Sequence, residues 1–369
     1  MITLYNPVCR QLDATKDGDF NYPFKLASLG NYSSELRIVS APSLSLDLRT
    51  YLRLGLTLVR RRYGMGIPRQ STWLLSQYYH LPSSGIGSSG ADAMLVYERY
   101  PRRATLPVIW ITAPTDVDRL RARGVPASEI QLEIDFKREV NAKAAATLLT
   151  TPSKKRDFDA IIQPVKETQV VPFFQAVPSI TDQDFEGKWA NTTPVKLLFI
   201  GRGARRKGLP LVLEAYKLLV RDYPGLVSLH VVSSMSDGVV EIPQLPGLTY
   251  EAQTSHAGAV ALMRDAHYLL MPSTYETYGW VYIEAMAQGT IPIASNTDVQ
   301  QDLLDHGRTG HLVQHDAEQI ASAVTQCLGS PGDARLMACR ALEWWKKRYA
   351  PEVVASQLAS VAHSVIERA

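Results

Sequence analysis

Met271-Pro-Ser273-Thr-Tyr-Glu276-Thr-Tyr278-Gly279-Trp280-Val281-Tyr-Ile-Glu284-Ala-Met-Ala-Gln-Gly289 is the stretch on which the reading of this chain turns. Residues 268–271 form an apolar run of strand length, and Pro272-Ser273 ends it. A short loop then carries Glu276, and a helix is expected over about 279–288 with Gly289 as its C-terminal cap. The start of such a helix offers free N–H groups and a partial positive charge, which together seat a phosphate. Gly279 lets a ligand approach that backbone closely. Glu276 precedes the helix and Glu284 lies within it, at most about 12 Å apart at helical rise. Two carboxylates flanking a phosphate seat accept hydrogen bonds from two sets of hydroxyls. A sugar and a ribose joined by a diphosphate present hydroxyls in that arrangement.

Working outward, Leu197-Leu-Phe-Ile-Gly201-Arg202-Gly-Ala-Arg205-Arg206-Lys207-Gly208-Leu209 runs from a strand through a glycine and a basic turn into a helix. Arg202 and Lys207 are suited to neutralising a diphosphate, arginine through bidentate contact. An ordinary solvated basic turn is the alternative. Strand and helix alternate almost throughout, the pattern of an α/β protein with parallel sheets. Strands are expected near 2–5, 35–41, 73–79, 93–98, 107–112, 147–151 and 169–173, with helices over 21–30, 43–62, 115–123, 129–146 and 154–162. Residues 179–194 are polar and aperiodic and read as a linker. The pattern restarts at Val195, with strands near 195–200, 227–233, 268–271, 291–294 and 311–313. Helices are expected over 209–222, 257–265, 279–288, 299–305, 316–328, 333–347 and 351–368. This gives a doubly wound domain over 1–178, the linker 179–194, a second such domain over 195–347, and a terminal segment 348–369 expected to pack back on the first. Two such domains are expected to face each other across a ligand cleft at the carboxyl ends of their strands.

The 369 residues are 46% hydrophobic and 20% charged, an ordinary globular composition that excludes collagen, coiled coil and wholesale disorder. Three cysteines form no CxxC pair, which favours a reducing compartment over a disulfide framework or a zinc ribbon. No apolar run reaches the length of a membrane span, and the N-terminus has neither a basic n-region nor an apolar h-region, so neither an anchor nor a secretory leader is expected. A net charge of +3 is too small to suggest a nucleic-acid partner. The charge is uneven, with eight basic and two acidic residues over 51–110. On the expected helix 43–62, Arg49, Arg53 and Arg60 share a face, extended by Arg61 and Arg62. That face either rests on anionic lipid headgroups or is the solvated side of an ordinary helix.

Taken together, the second half resembles the retaining glycosyltransferases of the GT-B fold, the large group 1 (glycosyltransferase family 4-like) family typified by sucrose synthase and bacterial mannosyltransferases. Glu276 and Glu284 match its Glu-x7-Glu motif, and Gly201-Arg202 with Lys207-Gly208 match its diphosphate motif. Pro272-Ser273, Glu284-Ala-Met-Ala-x-Gly289, Ile291-Pro-Ile-Ala-Ser and Gly307 to Gly310-His-Leu-Val extend the match over about 195–330. The first half matches less. Asp17-Gly18-Asp19 stands where the family has a Gly-Gly loop, Ala113-Pro114 where it often has a histidine, and Asn296 to Gln301 where it has Gly-Gly-x-x-Glu. The resemblance implies sugar transfer from a nucleotide-diphospho-sugar to an acceptor hydroxyl with retention. Arg202, Lys207 and Glu276 would act at the reacting centre. Gly201, Tyr278 and the amides at Gly279, Trp280 and Val281 would help hold the donor, and Glu284 its ribose. His80, Asp17 and Asp19 are the candidates on the acceptor side. No metal or cofactor is implied. The acceptor would be a saccharide or a lipid-linked molecule in surface polysaccharide or glycolipid synthesis, and the enzyme cytoplasmic, resting on the inner face of the membrane through the arginine face. A nucleotide-sugar epimerase and a non-catalytic binding subunit on the same fold are the competing readings.

Four Asp-x-Asp pairs, at 17/19, 116/118, 157/159 and 182/184, resemble metal motifs. Twenty aspartates produce such pairs by chance, and Thr115 is expected to cap a helix whose first turn holds Asp116 and Asp118. His306, His311 and His315 cluster only in sequence.

Overall fold

The computed structural model describes residues 1–6, 29–40, 80–81, 90–97, 100–101, 104, 106–122, 124–173 and 176–369. Residues 21–28 of the expected helix 21–30, the expected helix 43–62 and strand 73–79, and Asp17, Asp19, Arg49, Arg53, Arg60, Arg61 and Arg62 lie outside them. The chain divides into two units, residues 1–176 with 351–369, and residues 177–350.

The first unit holds a parallel sheet built from β1 (Ile2–Asn6), β2 (Leu36–Ser40), β4 (Ala93–Tyr97), β6 (Val108–Ile111), β7 (Ala146–Leu149) and β8 (Thr168–Val170), in the order β2-β1-β4-β6-β7-β8. A separate short pair joins β3 (His80–Leu81) to β5 (Tyr100–Pro101). Helices α1 (Val117–Ala122), α2 (Ala127–Lys143) and α3 (Pro152–Ile162) follow their strands. Runs such as Ala93-Met-Leu-Val and Val108-Ile-Trp-Ile are buried along their length, as a parallel sheet covered on both faces requires. Trp110 and Phe158 meet edge-to-face in this core, with ring centroids 6.2 Å apart. The buried Asn141 of α2 donates to Thr147 Oγ1 and Lys166 O and accepts from the amides of Val165 and Lys166. Those bonds fix the turn from α3 into β8.

The second unit begins with α4 (Asp182–Ala190) and continues as β9 (Val195–Ile200), α5 (Leu209–Asp222), β10 (Val227–Val232), β11 (Leu248–Glu251), α6 (His256–Asp265), β12 (Tyr268–Met271), α7 (Trp280–Ala287), β13 (Ile291–Ser295), α8 (Asp298–Leu303), β14 (His311–Val313), α9 (Ala317–Gly329) and α10 (Pro331–Arg348). Its parallel sheet has the order β11-β10-β9-β12-β13-β14. Numbered within this unit the order is 3-2-1-4-5-6, so the winding reverses between β9 and β12, and a doubly wound sheet opens its ligand crevice at the carboxyl ends of those two strands. The last helix, α11 (Pro351–Glu367), belongs to the first unit, where it packs on β1, β4 and the 3-10 turn Leu29–Tyr32.

Three local expectations need correction. Within 179–194 the chain folds as α4, because Phe185 and Trp189, four positions apart, bury one face. Thr181 caps its start by accepting from Asp184 N at 3.1 Å. Lys188 closes the arrangement by donating to Met263 O, Gln288 O and Thr290 Oγ1, at the C-terminal ends of α6 and α7. β11 was not expected. It is a four-residue edge strand, largely out of the core, with little hydrophobic pattern to announce it. Asp116, not Thr115, caps α1 by accepting from Arg119 N at 3.0 Å, and the hydroxyl of Thr115 donates to Glu133. Of the other acidic pairs, Asp159 binds Lys155 and Thr168 Oγ1, while Asp182 and Asp184 fill the first turn of α4. Among the described residues, no helix is long and apolar enough to cross a membrane.

Candidate active site

At the carboxyl end of β9 the chain enters residues 201–208, and at the end of β12 it enters residues 272–279. These two segments are built against each other. Gly208 has φ +85°, and a Cβ there would stand 2.4 Å from Pro272 O. Only glycine permits that approach. A Cβ on Gly201 would stand 3.1 Å from Lys207 Cγ, so the glycine makes room for the lysine stem over the strand end. Arg206 O accepts from Thr274 N at 2.9 Å, and Arg206 Nη1 donates to Tyr275 O at 2.8 Å. Asp237, in the loop after β10, accepts the amides of Arg205 at 3.1 Å and Arg206 at 2.8 Å. Desolvation opposes ionisation of Asp237, but those two amides and the Arg206 guanidinium outweigh it and hold its carboxyl below the usual range. Arg205 donates to Val239 O. Arg205 and Arg206 thus hold the turn together.

Lys207 Nζ is ion-paired with Glu276 Oε1, and their side chains are only 14% and 6% exposed. Ser273 Oγ donates to the same carboxylate oxygen at 2.8 Å. Behind them Tyr282, on α7, donates its hydroxyl to Met271 O at 2.7 Å. Burial, then the charge of Glu276, pushes that phenol far above its ordinary pKa. Arg202 is exposed, and among the described residues no side chain pairs with its guanidinium. The two segments therefore carry a neutralised buried pair, with the exposed Arg202 five residues before Lys207.

Gly279 caps the start of α7 in the left-handed region, φ +88°. A Cβ there would fall 2.8 Å from Leu303 Cδ1 and from Tyr282 Cδ2. Tyr278 is buried with its ring edge-to-face on Trp280, 4.9 Å between centroids, while Trp280 and Val281 are partly exposed. Glu284, one turn further along α7, is buried, and its Oε1 lies 2.9 Å from His256 Nε2 at the start of α6. Gly201, Arg202, Lys207, Glu276, Tyr278, Gly279, Trp280, Val281 and Glu284 all lie on these two segments and α7. His80 belongs to the first unit, on β3. Three site residues escaped the sequence reading, namely Ser273, Asp237 and His256. Ser273 falls inside the quoted motif. The other two come from separate elements, and only the Ser255 cap before His256 marks its helix start.

The comparisons bear on this same unit. Residues 194–330 match the family model for glycosyl transferases group 1. Among curated proteins, the phosphatidyl-myo-inositol mannosyltransferase of Mycobacterium tuberculosis is 34% identical over 137 residues, covering 34% of this chain and 35% of that protein. The chain thus spans about a third of the length of that relative. Among solved structures, the sucrose-phosphate synthase of Thermosynechococcus elongatus superposes with a TM-score of 0.64 at 16% identity and covers 100% of both chains. The Anabaena protein HepE, solved with UDP and glucose, superposes at a TM-score of 0.60 and 12% identity, covering 98% of this chain and 99% of that one. The two solved structures share the fold, GT-B, and the family is carried by residues 194–330. Residues 194–330 thus match the group 1 glycosyl transferases, and the chain as a whole shares the GT-B fold of these structures.

Proposed function

We propose that the chain transfers a sugar from a nucleotide-diphospho-sugar to an acceptor hydroxyl with retention at the anomeric carbon. The observation that carries this reading is the Lys207–Glu276 pair beside the start of α7, at the point where the sheet winding reverses. A diphosphate entering there meets Arg202, Lys207 and the first amides of α7, donors already aimed where leaving-group charge develops. As Lys207 turns to the diphosphate, Glu276 is released to accept from hydroxyls of the donor sugar. Glu284 accepts from the ribose. The bond from the anomeric carbon to the phosphate oxygen breaks, and a bond to the acceptor oxygen forms on the same face. The acceptor proton passes to the departing phosphate oxygen, and the nucleoside diphosphate leaves. Side chains and a helix start supply the positive field, so this reading uses no metal.

Two names support finer choices. HepE was solved with UDP and glucose, which makes UDP-glucose the first donor to try. The mycobacterial relative acts on phosphatidyl-myo-inositol by its name, which favours a lipid-linked acceptor and a cytoplasmic enzyme at the membrane surface, with Arg49, Arg53, Arg60, Arg61 and Arg62 on the lipid. His80, Asp17 and Asp19 are the proposed acceptor contacts. The test is incubation with UDP-, GDP- and ADP-sugars, with and without saccharide and phospholipid acceptors. A new glycoside of unchanged anomeric configuration with an equivalent of nucleoside diphosphate is expected. Isomerised donor without glycoside, or no reaction with any donor, contradicts transfer.

A further inference from the structure

His256 stands outside every motif of the sequence, yet its Nε2 lies 2.9 Å from Oε1 of Glu284. Glu284 needs such a partner. It is buried, with its side chain 10% exposed, and it sits in the second half of the eight-residue α7, away from the end whose dipole favours an anion. The place of the histidine is itself fixed. Ser255 caps α6 by accepting from Gly258 N at 3.0 Å. A Cβ on Gly258 would stand 2.3 Å from Thr254 Oγ1, so a larger residue there would have to displace the Thr254 side chain. His256 is the first residue of that helix. A carboxylate oxygen only accepts, so the ring donates Nε2–H to Glu284.

We infer that His256 is a positioning residue for Glu284: the ring orients the carboxylate that receives the vicinal diol of the ribose, so it sets affinity for the nucleoside half of the donor and not for the diphosphate half. The inference rests on the proposed function. The half-exposed imidazole, 41% by side chain, stays at the edge of the crevice while the carboxylate it holds is buried. A carboxylate oriented by the ring keeps one rotamer, and a diol then meets a pre-set acceptor instead of a rotating one.

The test compares UDP, GDP, ADP and inorganic pyrophosphate by titration on the full chain and on His256→Ala, His256→Gln and Glu284→Ala. Loss of one hydrogen bond to a charged group predicts that His256→Ala weakens the tightest nucleoside diphosphate by about tenfold while pyrophosphate changes less than about twofold. His256→Gln, whose side-chain amide places an N–H near the Nε2 position, recovers most of the loss. In steady-state transfer the same Ala variant raises donor KM and leaves kcat nearly unchanged. Equal weakening of pyrophosphate, failure of Gln to recover affinity, or an unchanged nucleoside diphosphate affinity beside a strong Glu284→Ala effect overturns the role of His256 alone. If the wild-type chain binds no nucleoside diphosphate, the proposed function falls and the inference with it.

Discussion

Lys207 and Glu276 each have a structural reason to be where they are before any ligand arrives. Both are nearly buried, and each neutralises the other. Removing one takes from the other its ion-pair partner in a poorly solvated place, which costs about 3–5 kcal/mol when burial is complete. Lys207→Met is therefore expected to lower both stability and turnover. The double variant Lys207→Met with Glu276→Gln should regain most of the stability, while turnover stays at least about a hundredfold down. Thermal melts beside initial rates separate the two effects, and a double variant no more stable than the single one contradicts the pairing account. Arg202→Ala offers the opposite case. The exposed guanidinium holds no described side chain, so stability should not move while turnover falls by about a hundredfold or more. The sequence exposed this scale well where neighbours are close along the chain. The helix start after Glu276, and Glu284 eight positions on, were legible because one strand, one loop and one helix carry them. Asp237 and His256 were not, because each reaches its partner from an element about 30 positions away, and no local pattern encodes such a meeting.

Between residues and the whole chain stand the elements that set the two site segments, and here glycine and histidine carry the argument. At Gly208 a methyl group would meet a backbone oxygen that cannot swing aside, whereas at Gly279 it would meet the ends of Leu303 and Tyr282 side chains. Gly208→Ala should therefore be the more damaging, by more than the roughly 1 kcal/mol that a positive φ alone costs, and urea melts of both variants check the order. His267 links α4, β9 and β12. Its Nδ1 accepts from Lys196 N and its Nε2 lies 3.0 Å from Lys188 O, so the ring is held neutral. Burial chiefly depresses its pKa, from 6.5 to about 4. Burial likewise lowers that of His311 to about 4. In the unfolded chain both rings take up a proton near 6.5, so stability is full above that pH and falls as pH drops toward 4. Each ring contributes on the order of 3 kcal/mol to that fall. Denaturant midpoints between pH 4 and 7 should show this slope, and His267→Gln should flatten it by about half while lowering stability throughout. An unchanged slope in the variant contradicts the assignment. The sequence left this cluster hidden. α4 read as a linker because only Phe185 and Trp189 mark its buried face, and Lys188, polar by type, is in place as a cap for two other helices.

For the whole molecule, two parallel sheets were legible from strand and helix alternation, since buried parallel strands announce themselves as unbroken apolar runs. The two units differ in how much function can be read from them. In the second, strand order 3-2-1-4-5-6 puts the basic turn and the Glu276 loop at one switch point, and the motif follows from the topology. In the first, polar side chains such as Lys137 and Glu133 bind the backbone and each other at the end of β6, and among the described residues no comparable motif marks an acceptor. The measurement that reaches the central claim most directly is calorimetric titration of the full chain with UDP and UDP-glucose, then GDP and ADP, on wild type and on Arg202→Ala with Lys207→Met. The account predicts saturable binding of at least one nucleoside diphosphate, weakened by at least about tenfold in the double variant, since each lost charge-assisted contact costs about 1.5–3 kcal/mol. Binding of equal strength in both proteins, or of none of these ligands to the wild type, would contradict it.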